Sequence, residues 1–394
     1  MPLAQRPLAE SDLDQMWEIE REAFDVDPAH HEWWVRWERA IGLDRFEGLF
    51  VDGRLVAMAG ALPLGQWYGG RSVPMAGVRG VGVRAEQRGR GYGTRVLRAA
   101  LEAMKARGQA ISALYPAVVR PYRRLGWEIA GTLFFREVPT RALMAFAPHD
   151  VVVRRAGAAD RATVRACYDR IARATDGFVD RTDGRWEWWF ERTETDFLHV
   201  AGDDGYVLYR QLPAETIFPT PQAFRIVVLD LVATTPRALR ALWGMLGDAS
   251  SVVPTVLFRS APNEPLNALL DAPDVVVRRE RQWMLRLVDA PAAIAARGYA
   301  ADVRASVPLA IDDPVCPWNA GRWTLHVADG AGRLEPGGGG AVRLGIGAFA
   351  SLYSGWATTA WLARAGLLQG GSDAQRGALD RVFTGAVPWM LDEY

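Results

Sequence analysis

A glycine-rich segment near the start of the chain limits the possible fold more than any other feature of the 394 residues. Residues 80–94, GVGVRAEQRGRGYGT, place a short valine strand before a turn that opens a long helix. Glycine lets the backbone approach an anion closely, and free N–H groups at a helix start point at negative oxygens with the help of the helix dipole. Arg88 and Arg90 add positive charge. The segment therefore predicts a pyrophosphate-binding turn between a strand and a helix.

The chain around this turn predicts a mixture of strands and helices. The Asp52-Gly53 pair accepts the positive φ angles of a tight turn, so it predicts a hairpin between the apolar runs on either side. Residues 94–107 predict an amphipathic helix, because their apolar side chains recur at helical spacing. The apolar run 111–114 predicts the strand that follows.

A second region, from about residue 150, repeats this order without the glycines. Residues 226–232 resemble the first valine strand, and Thr235-Pro236 predicts the start of a helix, since proline is common at the first helical position. The connecting residues contain no glycine that would let the backbone approach a pyrophosphate. We interpret this region as a degenerate internal duplicate that does not bind the same cofactor.

The last region, from about Pro291, has short apolar strands separated by glycine and aspartate. Residues 337–340 predict a hairpin loop, and residues 348–352 and 356–368 predict helices. The chain end 387–394 is apolar and aromatic, whereas ends that fray are usually polar. We therefore expect the C-terminus to be docked on the protein.

The charge balance limits the expected binding partners, and the length limits the expected number of domains. Lys plus Arg equals Asp plus Glu at 46 each, so the whole chain has no net charge that would attract nucleic acid or an anionic membrane. A chain of this length with 49% hydrophobic residues is expected to form two or three domains.

Cysteine and histidine content bears on metals and on cellular location. Cys167 and Cys316 are too few for a disulfide framework or a thiolate metal site, and the five histidines lack ligand spacing, so we expect no metal. The N-terminus has no apolar leader, and no uncharged apolar stretch is long enough to span a membrane. We expect a soluble, cytoplasmic protein.

The glycine turn also carries a family resemblance. As a bare pattern, such a turn is often only structural, but Arg88-x-x-Gly91-x-Gly93 after a Val-x-Val strand resembles the signature of the GNAT superfamily of acyl-CoA-dependent N-acyltransferases. Residues 114–116 with residues 122–127 resemble the Tyr-x-x-x-Gly-aromatic segment of the enhanced intracellular survival (Eis) family. The duplicate resembles the second, cofactor-free GNAT domain of that family, and the tail with Pro388-Trp389 resembles its sterol-carrier-like domain.

The resemblance implies an α+β protein with tandem GNAT domains, which are mixed sheets flanked by helices, followed by a sterol-carrier-like α+β domain. The implied domains are an active, acetyl-CoA-binding GNAT domain over 1–140, a degenerate GNAT domain over 150–290 and a sterol-carrier-like domain over 291–394 that supplies a catalytic C-terminus. The family also suggests a homohexamer.

The resemblance further implies where acetyl-CoA binds and which groups move protons. The strand would bind the thioester and the turn would bind the pyrophosphate, through Val81, Gly82, Val83, Arg88, Gly89, Arg90, Gly91, Tyr92, Gly93 and Thr94. Tyr122 would be the general acid, with a pKa of about 10 near that of a thiol at about 8.5. The alternative for Tyr122 is ordinary packing beside Trp127.

The general base implied by the family is the terminal carboxylate, which here belongs to Tyr394. Proton transfer from an alkylammonium to an unperturbed terminal carboxylate is uphill by roughly 9 kcal/mol. Burial must therefore bring the pKa values of the two groups closer together. A docked but inert tail is the alternative.

Acidic and aromatic residues are candidates for holding a cationic substrate. Asp25 or Asp27 and Glu393 would attract ammonium groups, and Trp33 could supply a flat wall or a cation–π contact. Ordinary surface carboxylates and core packing are the alternatives for these residues.

The resulting prediction is an acetyl-CoA-dependent N-acetyltransferase acting on a small-molecule or peptide amine, which would be a polyamine, an aminoglycoside-like amine or a lysine-type amine. Neither nucleic acid nor a membrane is an expected partner. Two alternatives remain: a carrier that binds a lipid or small molecule in the third domain without catalysis, and an enzyme that acetylates a protein lysine or N-terminus.

Overall fold

The computed structural model describes residues 3–146, 150–213 and 224–394. Its strands are β1 (Leu3–Pro7), β2 (Phe46–Val51), β3 (Arg54–Tyr68), β4 (Arg71–Val83), β5 (Ile111–Leu114), β6 (Glu128–Pro139), β7 (Val153–Arg155), β8 (Val179–Asp180), β9 (Phe197–Ala201), β10 (Gly205–Pro213), β11 (Phe224–Ala233), β12 (Thr255–Ser260), β13 (Val276–Leu287), β14 (Ala305–Asp312), β15 (Gly321–Ala328), β16 (Ala331–Pro336), β17 (Val342–Gly345) and β18 (Leu368–Gly370).

The α-helices, apart from short 3₁₀ turns, are α1 (Leu13–Phe24), α2 (His31–Ile41), α3 (Tyr92–Ala106), α4 (Val119–Arg123), α5 (Thr140–Leu143), α6 (Arg161–Arg173), α7 (Asp183–Glu191), α8 (Pro236–Gly247), α9 (Leu266–Leu269), α10 (Ala290–Ala296), α11 (Ile346–Tyr353), α12 (Thr359–Arg364) and α13 (Asp373–Phe383).

The chain divides into two compact units, and each unit combines separate segments of the sequence. The first unit contains Met1–Ala130, Trp283–Gly385 and Glu393–Tyr394, and the second contains Gly131–Gln282 and Ala386–Asp392. The chain therefore enters and leaves each unit more than once.

The first unit contains a sheet in the order β1-β2-β3-β4-β5-β13. The β2–β3 hairpin turns at Asp52 and Gly53, which have φ angles of 50° and 80°, so the predicted tight turn is confirmed. Within this sheet β4 and β5 are parallel, while the other neighbours are antiparallel.

The parallel strands β4 and β5 pair over only three residues and then separate. Met75, Ala76 and Gly77 of β4 are in register with residues 111–113, while β4 continues to Val83. The helix α3 follows the glycine turn and begins two residues before the predicted start. Its apolar face is buried in the core of this domain beside Trp127. The separation of the strands leaves one edge of β4 beyond Gly77 without β5 as a hydrogen-bonding partner.

The second unit contains a sheet in the order β6-β12-β11-β10-β9-β7. The predicted valine strand is β11, and α8 follows it at the predicted proline. Thr235 caps this helix with its side chain, since Thr235 Oγ1 accepts a 3.2 Å hydrogen bond from the N–H of Ala238. A side chain therefore occupies the start of α8, whereas the glycine turn leaves the start of α3 open.

The last region of the first unit forms a sheet in the order β16-β15-β14-β17-β18. The prediction of a hairpin at residues 337–340 is wrong, because β16 and β17 are not neighbours and β17 instead pairs in parallel with β14. The predicted helix 356–368 is shortened to α12 and is followed by β18. The prediction missed α13, although Ser372 and Gln375 form a reciprocal capping box that marks its start.

Both cysteines are free and buried. Within the described ranges, no helix has the length and apolar content needed to cross a membrane. Among the same residues, no group of three or more His, Cys, Asp or Glu side chains could hold a metal ion.

Candidate active site

A cavity of about 800 Å³ lies in the first unit, where β4 and β5 separate. Its lining comes from α1, β4, the glycine turn with α3, the segment after β5 and the last residue of the chain. These residues are Glu20, Ala23, Phe24, Val78–Val83, Arg88, Gly89, Gly91, Gly93, Thr94, Leu97, Leu114, Tyr115, Ala117, Val118, Pro121, Tyr122 and Tyr394.

The glycine turn leaves the start of α3 open to the cavity. Gly89 and Gly91 have φ angles of 79° and 80°, which residues with a side chain rarely adopt. Gly91 is the N-terminal cap of α3 and supplies no side chain that would bond the first N–H groups of the helix. Apart from its own chain neighbours, a Cβ atom at either glycine would meet no atom of the described residues within 4 Å. The turn is therefore an open group of donors that fits a diphosphate.

Arg88 connects the turn to the strand before it. Its Nε donates a 3.2 Å hydrogen bond to the backbone oxygen of Val83. The side chain is exposed and lies in the cavity lining, so its charge adds to the helix dipole at the same point.

Tyr122 lies in the short helix α4 and forms part of the cavity wall. Its ring meets the ring of Trp127 edge-on, with centroids 6.1 Å apart. Burial raises the pKa of the Tyr122 hydroxyl above its ordinary value, so this group holds its proton at neutral pH. The hydroxyl has no hydrogen-bond partner among the residues that the structure describes. Tyr122 therefore both packs on Trp127 and presents a proton donor that is not occupied elsewhere.

Tyr394 reaches the same cavity from the other end of the chain. Its ring lies against Gly77 of β4, where a Cβ atom would stand 2.7 Å from Tyr394 Cε2. The absence of a side chain at Gly77 thus provides the space for the terminal ring. The last residue of the chain and the glycine turn line one cavity.

The residues just before the terminus are held in the second unit by a buried network of charges. The carboxylate of Asp392 accepts hydrogen bonds from Arg181 Nε at 3.0 Å, from the Tyr168 hydroxyl at 3.0 Å and from Arg185 at 3.4 Å. Burial would raise the pKa of Asp392, but Arg181 and Arg185 hold it below its ordinary value. The chain is therefore anchored two residues before Tyr394.

Most of the predicted cofactor-binding residues lie in the cavity lining. Val81, Gly82 and Val83 of β4 do so, as do Arg88, Gly89, Gly91, Gly93 and Thr94. Arg90 and Tyr92 belong to the same turn, but they are not in the lining.

The four residues predicted to bind substrate lie outside the lining, and Asp27 is exposed. Asp25 is exposed at the end of α1, directly after Phe24, which is part of the wall. Trp33 is 39% exposed and stacks on Trp37 at 6.2 Å. Glu393 is half-buried beside Tyr394. Their roles in substrate binding stay predictions.

Glu20 also belongs to the site, although no motif in the sequence predicted it. This residue of α1 is 8% exposed and lies in the cavity lining. Burial raises the pKa of Glu20 to about 7, while Arg79 acts to lower it and Glu38 to raise it. The signal in the sequence was its spacing, since Glu20 follows Leu13 and Met16 on the buried face of α1, where a charge is unusual.

Family models match three regions of the chain. A family model described as an acetyltransferase (GNAT) domain matches residues 4–130, and a second GNAT model matches residues 177–287. A sterol carrier protein domain model matches residues 290–391. An uncharacterized N-acetyltransferase of Streptomyces avermitilis is 31% identical over 318 residues, which cover 75% of each chain.

Solved structures resemble the whole chain. A GCN5-related N-acetyltransferase from Kribbella flavida is 36% identical with a TM-score of 0.89, covering 100% of this chain and 98% of its own. Eis1 from Mycobacterium abscessus is 28% identical with a TM-score of 0.83, and the match covers 100% of both chains.

This chain belongs to the Eis-like GNAT N-acetyltransferases. The predicted family and the α+β class, with tandem GNAT domains before a sterol-carrier domain, are confirmed. As a GNAT acetyltransferase, the Eis-like enzyme uses acetyl-CoA and acts on an amine.

Proposed function

We propose that the chain is a cytoplasmic enzyme that acetylates a polyamine, an aminoglycoside-like amine or a lysine-type amine, with Tyr122 as general acid and the Tyr394 carboxylate as general base. One observation carries the proposal: Tyr122, Tyr394 and the glycine turn line a single cavity. Two free, buried cysteines are compatible with a reducing compartment.

Different parts of the cavity would hold the different parts of the co-substrate. The start of α3 and Arg88 would hold the diphosphate, because their donors are open to the cavity. The backbone of residues 81–83 would hold the thioester, since this part of β4 extends beyond its pairing with β5. Acetyl-CoA supplies an acetyl group activated for transfer to nitrogen.

The role of Tyr122 is to protonate the leaving thiolate. Its raised pKa keeps the hydroxyl protonated until a strong base forms nearby. The edge contact with Trp127 orients the ring, so the donor is held in place before the reaction.

The role of Tyr394 is to accept a proton from the substrate nitrogen. Its ring lies against Gly77, and the Asp392 network holds the preceding residues. A docked terminus of this kind can keep its carboxylate in a fixed position, which general base catalysis requires.

The family resemblance also supports proposals for the substrate contacts, the domain boundaries and the assembly. Asp25, Trp33 and Glu393 would contact the part of a cationic substrate that does not react. The domains would divide at 1–140, 150–290 and 291–394, and the assembly would be a homohexamer.

Release of free thiol from acetyl-CoA with a panel of amines tests the proposal. Wild-type protein should turn over at least one amine, and Tyr122→Phe should lose roughly 10²-fold or more in kcat. Tyr209→Phe, at another buried tyrosine whose pKa burial also raises, is the matched control and should retain activity.

A few residues added after Tyr394 test the role of the terminus. The addition should abolish turnover but leave coenzyme A affinity nearly unchanged, while the same residues added before Met1 should have little effect. The proposal fails if no amine is acetylated, or if the extended protein is as active as wild type.

A further inference from the structure

Glu20 is the one carboxylate side chain among the described residues that line the cavity. The packing of α1 on β4 determines its position: a Cβ atom at Gly82 would stand 2.3 Å from Ile19 Cγ2, so only glycine allows this close contact. Glu20 Oε2 then lies 3.4 Å from the point that a Cβ atom of Gly80 would occupy. The carboxylate therefore lies beside β4, one residue before the proposed thioester site begins at Val81.

The charges around Glu20 are not balanced. The buried Glu38 forms an ion pair with Arg79 at 2.7 Å. Within the described part of the chain, Glu20 makes no hydrogen bond or ion pair of its own. When Glu20 and Glu38 are both ionised, Arg79 balances only one of them, and one negative charge is left. A bound proton or a cationic ligand in the cavity would neutralise it.

Acetylation of an ammonium group requires such a proton acceptor. The nitrogen must lose one proton before its lone pair can attack, and it loses a second proton as the amide forms. One terminal carboxylate can take one of these protons in each cycle. A site for ammonium substrates therefore benefits from a second acceptor near the reacting carbon.

We propose that Glu20 accepts the first proton from the substrate ammonium, and that the Tyr394 carboxylate accepts the second. The neutral amine then forms the N–C bond while the C–S bond breaks, and Tyr122 gives its proton to the departing sulfur. Tyr122 regains a proton from the protonated carboxylates, and the one proton left over passes to solvent. This inference rests on the proposed function and adds a catalytic residue from α1 to it.

The ionisation of Glu20 suits this role. Its pKa of about 7 lies nearer to the value of about 10.4 for an alkylammonium than does the value of about 3.5 for an unperturbed terminal carboxyl. Two charged groups face it from neighbouring elements: Arg79 on β4 lowers its pKa, and Glu38 on α2 raises it. Arg88, Tyr115, Tyr122 and Tyr394 are the other titratable groups among the described residues of the cavity lining.

A comparison of two amines separates proton removal from a structural role. One is an alkyl diamine that is fully protonated at pH 7, and the other is a fluorinated ethylamine that is largely neutral at that pH. Glu20→Gln should lower kcat/KM for the diamine by roughly 10²-fold at pH 7. The loss should shrink as the pH rises toward the pKa of the diamine, because more of the substrate is then already a neutral amine. The fluorinated amine has no first proton to lose, so its kcat/KM should change by less than about 3-fold.

Control variants and a direct titration complete the test. Glu47→Gln removes a buried carboxylate of the same domain outside the cavity lining and should leave the pH profile unchanged. Glu20→Asp keeps a carboxylate and should retain part of the activity on the diamine. Carboxyl NMR of the wild-type protein without substrate should show a group titrating near pH 7 that is missing from Glu20→Gln.

Two results would overturn the assignment. One is an equal loss for both amines at every pH, which would indicate a structural role. The other is a wild-type pH profile in Glu20→Gln. If instead the wild-type protein acetylates neither these amines nor any other, the proposed function itself fails, so the two failures are distinguishable.

Discussion

At the scale of single residues, burial acts on two carboxylates of this protein with opposite results. Glu20 is buried and has no ion pair with any residue that the structure describes, so desolvation dominates and raises its pKa to about 7. Asp392 is buried between Arg181 and Arg185, and these partners hold its pKa below the ordinary value despite desolvation. The first group can change its charge near neutral pH, whereas the second stays ionised and anchors the chain.

The raised pKa of Glu20 predicts a pH-dependent cost in stability. Below pH 4.5 the carboxyl is protonated in both the folded and the unfolded state. Between pH 4.5 and 7 the unfolded chain releases the proton more readily, so the wild-type protein loses stability as the pH rises. Glu20→Gln removes this cost and should be more stable than wild type by up to about 3 kcal/mol above pH 7, with little difference below pH 4.5.

Urea unfolding at a series of pH values measures this difference. Glu32→Gln removes an exposed carboxylate from α2 and controls for the change in net charge. A stability difference for Glu20→Gln that does not grow between pH 4.5 and 8 would contradict the prediction.

At the scale of secondary structure elements, two strands separate to open the cavity, and side chains rather than regular structure hold the tail. The β4–β5 pairing stops at Gly77, which opens the cavity, and the same glycine provides space for the ring of Tyr394. The tail has no regular secondary structure of its own. Side-chain contacts such as those of Asp392 therefore hold the tail in place of the backbone hydrogen bonds of a helix or sheet.

Asp392→Asn should disrupt the tail anchor. It removes the carboxylate that pairs with both Arg181 and Arg185, while Arg181 keeps its 3.0 Å ion pair with Asp230, and we expect a loss of about 3 kcal/mol in the free energy of unfolding. Because Asp392 is two residues from the terminus, kcat should also fall while coenzyme A affinity stays within about 3-fold. Calorimetry and thiol-release assays measure the two effects.

The control is Asp329→Asn, which breaks an exposed ion pair with Arg304. Both side chains are largely exposed, at 68% for Arg304 and 73% for Asp329, so the change should cost less than about 1 kcal/mol. Equal stabilities of Asp392→Asn and Asp329→Asn would show that the buried network does not anchor the tail.

At the scale of the whole molecule, each compact unit is built from segments far apart in the sequence. The first unit combines the first GNAT region, the sterol-carrier region and the last two residues. Ser351 Oγ of α11 donates a 2.7 Å hydrogen bond to the backbone oxygen of Ile129, which connects these two regions within the unit. Sequence proximity alone does not define a folding unit here.

The proposed hexamer predicts a solution mass six times the 43.4 kDa of one chain. Light scattering after gel filtration measures this mass, and the result should not change over a tenfold dilution. A mass equal to one chain would contradict the assembly while leaving the proposed chemistry untouched.

Local features of this protein were determined by the sequence alone. The Asp52-Gly53 turn, the helix after the glycine turn and the proline start of α8 depend on φ preferences and on hydrogen bonds between residues a few positions apart. The failed hairpin at residues 337–340 shows the limit, since a glycine run permits a turn but does not determine which strands pair.

The resemblance to a known family, rather than any pattern, suggested that Tyr122 and Tyr394 share a site. Only the tertiary structure brought Glu20 to the same cavity, because that depends on how α1 packs against the glycines of β4. Its pKa near 7 likewise depends on burial and on the distances to Arg79 and Glu38. Such contacts join residues far apart in the sequence, and local preferences do not encode them.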